Sequence, residues 1–157
     1  AENTIIVLFS DHGWHLGEKQ HWGKLTGWER STRVPLLFVP SRDDRDSFRT
    51  GTVCTQPVGL IDVYPTLLDL AGLPPASDID GESLVASLKD PARPTKPEVS
   101  TFDKGNYSIG DQRYRLVHYQ DGSEELYDHQ TDPHEFHNVV NKPQYAETRR
   151  TLASHLP

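Results

Sequence analysis

The run Thr4-Ile-Ile-Val-Leu-Phe-Ser-Asp-His-Gly13 constrains the fold more than any other part of this sequence. β-branched and aromatic residues favour strands, so residues 4–9 are predicted to form a buried strand. Asp11 and His12 follow shortly after this strand, and Gly13 then interrupts the pattern. Because open α/β sheets bind ligands beyond the carboxyl ends of their strands, these two side chains lie where such a fold carries its chemistry.

Asp11 and His12 offer a carboxylate and an imidazole, and both groups can bind a divalent cation. The alternative is that the Asp-His-Gly turn only caps a following helix. A hard cation such as Ca²⁺ takes about 6–8 oxygen ligands, so these two residues cannot complete a site alone. If they bind a metal, its remaining ligands must come from elsewhere.

A polar loop over residues 14–33 follows the strand and contains three tryptophans, two lysines and two histidines. Such a loop between apolar segments is typical of a functional site. Lys24, within Trp22-Gly-Lys24, is a candidate for holding a sulfate or phosphate oxygen. The alternative is an ordinary solvated lysine.

Other candidate residues have more ordinary interpretations. His15 and His21 are candidate proton donors to a leaving group. Glu29 and Arg33 are expected to form an ion pair that braces the loop. Cys54 has neither a nearby histidine nor a second cysteine, so it is interpreted as a small buried residue. Three late histidines lack the spacing of a structural zinc site and are expected at the surface: His129, His134 and His137.

Periodicity divides the chain into two segments, 1–98 and 99–157. In the first, helical spacing predicts a helix over 60–71, closed by Gly72, and a short helix over 81–88. In the second, four short alternating segments predict an antiparallel meander with a turn at Asp121-Gly122. Residues 146–156 are predicted to form a closing helix.

Composition excludes several classes of protein. The formal net charge of -7 disfavours sequence-independent binding to nucleic acid. No apolar run approaches the roughly 20 residues that span a bilayer, so no membrane span is expected. The single cysteine cannot form a disulfide within the chain.

The chain opens without methionine and leaves no room for a signal peptide before the first strand, so we expect a processed chain or a fragment.

Several motifs, in this order, resemble the C-terminal portion of a type I sulfatase, with the iduronate-2-sulfatase-like branch the most similar. The resemblance spans nearly the whole chain and rests on Ser10-Asp-His-Gly-Trp-His-Leu-Gly-Glu18, Trp22-Gly-Lys24, Glu29-Arg-Ser-Thr-Arg-Val-Pro-Leu37, Asp62-Val-Tyr-Pro-Thr-Leu-Leu-Asp-Leu-Ala-Gly72, Glu125-Leu-Tyr-Asp128 and Asp132-Pro-His-Glu135.

The resemblance implies the C-terminal part of an alkaline-phosphatase-like α/β fold, followed by a small antiparallel sheet with a closing helix. It implies that Asp11 and His12 bind Ca²⁺ and that Lys24 contacts the substrate sulfate in a catalytic role. Trp14 and His15 are expected to line the substrate site. The substrate would be a sulfated small molecule or saccharide.

The same resemblance implies that part of the site is supplied from outside this chain. The family nucleophile is a formylglycine made from the cysteine of a C-x-P-x-R motif, and Cys54, followed by Thr-Gln-Pro-Val, does not match it. The nucleophile and the further aspartate ligands are therefore expected on an N-terminal portion, so these 157 residues alone should be inactive. A periplasmic or extracellular location is expected rather than a cytoplasmic one.

Two other interpretations remain open from the sequence. Phosphodiester and phosphonate monoester hydrolases of the same superfamily share the metal and the lysine. A non-catalytic structural or binding module would keep the fold without completing a nucleophile.

Overall fold

The computed structural model describes residues 2–157, which form two compact units. The first unit comprises residues 2–9 and 35–95, and the second comprises residues 10–34 and 96–157. The loop of residues 10–34, which the sequence grouped with the first 98 residues, packs in the second unit. The domain division at residues 98 and 99 stays a prediction.

The first unit opens with a two-stranded antiparallel ribbon. Strand β1 (Ile6–Phe9) pairs with β4 (Leu36–Val39), and Phe9 lies opposite Leu36. The strand was predicted correctly, but its predicted burial is wrong, because Ile6 is 53% exposed and Leu8 is 56% exposed. Among residues 2–157 these strands pair only with each other, so β-branched composition alone did not determine burial.

Two helices complete the first unit. A 3₁₀ turn (Leu60–Asp62) leads directly into helix α2 (Val63–Leu70), which confirms the helix predicted over 60–71. Gly72 adopts φ 65° after α2, where Leu73 N–H donates to the Leu68 carbonyl at 2.9 Å, the usual glycine stop. Helix α3 (Val85–Lys89) is shorter than the helix predicted over 81–88.

The loop at the start of the second unit contains short regular elements. Strands β2 (His15–Leu16) and β3 (Trp22–Gly23) form a small antiparallel hairpin around a 3₁₀ turn (Glu18–Gln20). Helix α1 (Glu29–Thr32) follows. A further 3₁₀ turn (Arg45–Ser47) belongs to the first unit.

The second unit is built on a four-stranded antiparallel meander, as predicted. Its strands, in spatial order, are β5 (Glu98–Asp103), β6 (Asn106–Gly110), β7 (Tyr114–His118) and β8 (Glu124–Asp128). The predicted turn between β7 and β8 is present, with Gly122 at φ 83°.

The closing helix packs against this sheet. A 3₁₀ turn (Pro143–Tyr145) leads into helix α4 (Ala146–Ala153). Its Leu152 is 1% exposed and completes a core cluster with Ile109, Leu116, Leu126 and Val139. Among residues 2–157, no helix has the length and apolar character required to cross a bilayer.

Candidate active site

Three polar side chains predicted from the sequence meet on one exposed surface of the second unit. Lys24 Nζ lies 2.8 Å from His12 Nε2. Asp11 Oδ2 lies 3.4 Å from the same nitrogen, and the Asp11 side chain is 81% exposed. A carboxylate, an imidazole and an ammonium group are therefore open together to a ligand from solvent.

The backbone fixes the orientation of the His12 ring. Nδ1 lies 2.9 Å from the Gly13 carbonyl oxygen, which can only accept, so Nδ1 carries the proton. Nε2 then presents a lone pair and accepts the hydrogen bond from Lys24. That lone pair and the Asp11 carboxylate face each other, and two facing acceptors favour a positive charge between or beside them.

Gly13 is required by the packing of this segment on α1. Its N–H donates to the Ser31 carbonyl at 2.8 Å. A Cβ at position 13 would lie 1.8 Å from the Arg30 carbonyl oxygen, so no larger residue fits without moving the backbone. The glycine that breaks the sequence pattern thus allows the Asp11-His12 pair to lie close against α1.

The β2–β3 hairpin positions Lys24. Gly17 N–H donates to the His21 carbonyl at 3.0 Å, which closes the turn. His21 Nε2 lies 3.0 Å from the Lys24 carbonyl oxygen and donates to it, since a carbonyl only accepts. Because Lys24 directly follows β3, its position depends on the geometry of the hairpin.

Trp14 lies between this cluster and a neighbouring cavity. Its ring centroid is 6.2 Å from that of His12, and its side chain is half exposed. It borders a cavity of about 490 Å³ whose lining also includes Arg30, Arg33 and His134. Arg30 and Arg33 pair there with Glu18 and Glu29, so the cavity offers an aromatic face and charges of both signs to a polar ligand of sugar size.

His15 does not share this surface. Its side chain is fully buried, and Nε2 pairs with Thr26 Oγ1 at 2.9 Å. Burial lowers the pKa of His15, and neighbouring His21 lowers it further. Although its side chain is buried, His15 is one of the residues that line the cavity beside Trp14, so its contact with substrate stays a prediction.

Lys19 makes internal contacts that were not predicted from the sequence. Its Nζ donates to Tyr127 Oη at 2.7 Å and to the Glu135 carbonyl at 2.6 Å. The same ammonium group lies 4.2 Å from the Trp28 ring centroid. Burial lowers the pKa of Lys19, although nearby carboxylates, Glu125 first among them, oppose the shift. No local pattern revealed this contact, because it joins residues more than 100 positions apart.

A buried ion-pair network around Arg115 was also missed. Arg115 is 8% exposed. It contacts Glu29, and its Nε lies 3.2 Å from Glu135 Oε1. Glu135 Oε1 also pairs with His129 Nε2 at 2.9 Å, while Glu135 Oε2 accepts the Glu29 N–H at 2.8 Å. Burial alone would raise the pKa of Glu29, but the Arg115 guanidinium outweighs it and holds that pKa below its usual value.

Glu29, His129 and Glu135 have the spacing of a metal site, with ligand atoms all within 4.8 Å of one another. Arg115 already supplies the positive charge that a cation would bring to the two carboxylates. We therefore interpret these residues as a structural network that joins the start of α1 to strand β7.

The remaining sequence predictions have mixed outcomes. The predicted Glu29–Arg33 ion pair is confirmed at 3.2 Å. The predicted burial of Cys54 is wrong, because the residue is exposed. His129 is half-buried rather than at the surface, whereas His134 and His137 are exposed as expected.

Curated relatives align with nearly the whole of this chain. A sulfatase from Formosa agariphila is 36% identical over 158 residues, which cover 100% of this chain and 30% of the relative. The N-acetylglucosamine-6-O-sulfatase of Bacteroides thetaiotaomicron is 33% identical over 165 residues, covering 96% of this chain and 29% of the relative. The chain thus spans about three tenths of the length of these relatives.

Solved structures show the same fold. A structure in complex with D-glucosamine-2-N,6-O-disulfate has a TM-score of 0.76 and 30% identity, covering 98% of this chain and 33% of the other. The phosphonate monoester hydrolase of Agrobacterium radiobacter has a TM-score of 0.76 and 27% identity, covering 98% of this chain and 34% of the other.

These similar structures show the fold class of the chain. It is the C-terminal part of the alkaline-phosphatase-like α/β fold found in sulfatases. The predicted fold class is confirmed. Residues 17–157 match the family described as N-sulphoglucosamine sulphohydrolase, C-terminal, and the chain belongs to that family.

Proposed function

We propose that this chain is the C-terminal portion of an enzyme that hydrolyses sulfate esters of sugars, and that Asp11, His12 and Lys24 belong to its active site. The observation that carries the proposal is the exposed contact of Lys24 with His12, beside Asp11. Membership of a sulfatase C-terminal family supports the reaction class. A relative named N-acetylglucosamine-6-O-sulfatase and a neighbour in complex with a glucosamine disulfate support a sugar substrate.

Lys24 is the residue of this chain that acts on the sulfate group. Its ammonium donates hydrogen bonds to a sulfate oxygen and offsets the negative charge that builds there as the bond to the leaving alcohol breaks. His12 Nε2 lies 2.8 Å from Lys24 Nζ, which places the ammonium group beside the two candidate metal ligands. Trp14 packs against the sugar, and the adjoining cavity accommodates the rest of the leaving group.

Asp11 and His12 fit a role as two ligands of Ca²⁺. The fit rests on the Asp11 carboxylate and His12 Nε2, two acceptors 3.4 Å apart. A cation there would take the Nε2 lone pair that accepts from Lys24, and would leave the ammonium group free for a sulfate oxygen. A bound cation would draw charge from the sulfate oxygens as a Lewis acid. Two ligands bind such an ion weakly, so the others, together with the formylglycine nucleophile, would come from an N-terminal portion.

Three narrower points remain part of this proposal. The chain belongs to the iduronate-2-sulfatase-like branch of the family. The enzyme acts in the periplasm or outside the cell. The 157-residue chain alone is inactive because the nucleophile lies elsewhere.

The likeness to a phosphonate monoester hydrolase keeps a second candidate open, namely a phosphodiester or phosphonate monoester hydrolase with the same fold. Rates on a p-nitrophenyl sulfate, a phosphodiester and a phosphonate monoester separate the two on the full-length protein. We expect the sulfate ester to have the highest kcat/KM. A higher value for either phosphorus ester would favour the second candidate, and no turnover of any ester would favour a non-catalytic module.

A further inference from the structure

Lys19 lies at the tip of the β2–β3 hairpin and is held by aromatic rings on two sides. Its Nζ is 4.2 Å from the Trp28 ring centroid and 4.3 Å from the Tyr127 ring centroid. It also donates to Tyr127 Oη and to the Glu135 carbonyl oxygen. A half-buried ammonium with two hydrogen-bond acceptors and two aromatic faces has few other positions available to it.

A single carboxylate holds both walls of this aromatic cage. Glu125 Oε2 accepts from Trp28 Nε1 at 2.7 Å and from Tyr127 Oη at 2.7 Å. The negative charge of Glu125 lies next to the enclosed ammonium group and balances it. Strand β8 thus supplies Tyr127 and Glu125, while the other aromatic wall is Trp28, the residue directly before α1.

The backbone at the contact shows that the hairpin tip is held in a strained shape. Lys19 has φ 53° and Gln20 has φ 58°, left-handed values that non-glycine residues seldom adopt. Glu135, whose carbonyl accepts from Lys19, has φ 58°. Strained residues persist where surrounding contacts determine their conformation, and here the contacts of Lys19 do so.

The hairpin transmits this restraint to the candidate active site. Strand β3 pairs with β2 and runs directly into Lys24. His21, at the end of the strained turn, holds the Lys24 carbonyl at 3.0 Å. A hairpin tip freed from strand β8 would shift the Lys24 side chain relative to His12.

We propose that Lys19 is a positioning residue, and that its capture between Trp28 and Tyr127 fixes the hairpin that presents Lys24 to the sulfate group. The inference rests on the proposed function of Lys24. Lys19 also borders the cavity beside Trp14, but its ammonium group donates to Tyr127 and Glu135, so the role proposed for it is to position the hairpin and not to bind substrate.

The test uses full-length protein with Lys19→Met, and with Lys104→Met at an exposed turn as the matched control. A displacement of about 1 Å in a catalytic group can cost on the order of 10²-fold, so we expect Lys19→Met to lower kcat/KM about 10- to 100-fold. Lys104→Met should leave it unchanged. Tyr127→Phe keeps the ring but removes one hydrogen-bond acceptor, and should give a smaller loss in the same direction.

A double-mutant cycle separates positioning from general damage. If Lys19 acts through Lys24, Lys19→Met should add no further loss in a Lys24→Ala background. An equal loss in both backgrounds would overturn the proposal, as would Lys19→Met with wild-type kcat/KM.

Hydrogen exchange tests the structural step without any assay of activity. Lys19→Met should speed exchange of the amides in residues 15–24 and leave strands β5 and β6 at the wild-type rate. This result would stand even if the protein hydrolysed no sulfate ester, in which case the proposed function alone would fail. Unchanged exchange in residues 15–24 would refute the capture of the hairpin by Lys19.

Discussion

Replacing Arg115 by Met tests the buried network that joins the loop to the sheet. Arg115 donates to Ser108 Oγ at 2.8 Å and lies beside the carboxylates of Glu29 and Glu135. Methionine fills a similar volume with a flexible apolar chain, so the packing loss is small. The dominant effect is that two carboxylates lose their shared counter-charge.

The expected magnitude follows from the burial of these carboxylates. The side chains of Glu29 and Glu135 are 19% and 2% exposed. Removing one partner of a buried ion pair costs about 3–5 kcal/mol because the remaining charge is left uncompensated. Arg33 still pairs with Glu29, and His129 with Glu135, so we expect the lower half of that range.

The pKa of Glu29 gives this variant a distinctive dependence on pH. In the wild type Arg115 lowers that pKa, so the pair stabilises the fold above the ordinary glutamate value and the contribution is lost as pH falls through the lowered pKa. In Arg115→Met the pKa of Glu29 rises, because burial is then less opposed. The carboxyl group becomes neutral more easily in acid, so the difference from wild type should shrink as pH falls.

Hydrogen exchange in strands β7 and β8 measures the free energy of opening in the full-length protein. We expect Arg115→Met to lower it by about 3 kcal/mol at neutral pH and by less near pH 5. Glu29→Gln added to Arg115→Met should restore part of the loss. A loss under about 1 kcal/mol at neutral pH, or one that does not change with pH, would refute the reasoning.

Three further predictions follow from single contacts. Gly13→Ala should destabilise the protein by about 1–3 kcal/mol or more and lower activity on sulfate esters, because its Cβ would clash with the Arg30 carbonyl; thermal unfolding and a sulfate-release assay measure both effects. Leu152→Ala should lower the opening free energy of the core by about 2–5 kcal/mol in hydrogen exchange, since the side chain is 1% exposed. Asp128 accepts two hydrogen bonds from Arg113, and these bonds are the main reason why its pKa lies below the usual aspartate value. The contribution of Asp128 to stability is therefore present above about pH 4 and is lost as pH falls through that lowered pKa. Asp128→Asn should therefore weaken β8 at neutral pH and flatten its acid dependence, as seen by exchange at a series of pH values.

Local patterns predicted the elements whose burial is decided by neighbours in sequence. Helix α2 has apolar residues at helical spacing and a glycine that ends it, and both signals lie within its own segment. The four strands of the meander were likewise predicted from alternating apolar and polar residues and from the glycine turn before β8. Asp11 and His12 became candidates because a strand leads into them and Gly13 interrupts the pattern, and their role as metal ligands stays a prediction.

Contacts over long sequence distances could not be predicted in the same way. No local signal distinguishes Lys19 within its polar loop, and only the folded chain brings it to Tyr127, 108 positions away. Arg115 and Glu29 are separated by 86 positions, and neither lies in a recognisable motif for the pair. The exposure of β1 was missed because an apolar strand looks the same whether one face or neither is covered.

The most direct test of the account is the kcat/KM of full-length Lys24→Ala on a sulfate ester, compared with Lys142→Ala at an exposed position of the second unit. Removing one preorganised contact to the developing charge costs about 10²–10³-fold, so we predict a loss of that size for Lys24→Ala. Lys142→Ala should retain the wild-type value. A Lys24→Ala enzyme within about threefold of wild type would remove Lys24 from the active site and contradict the account.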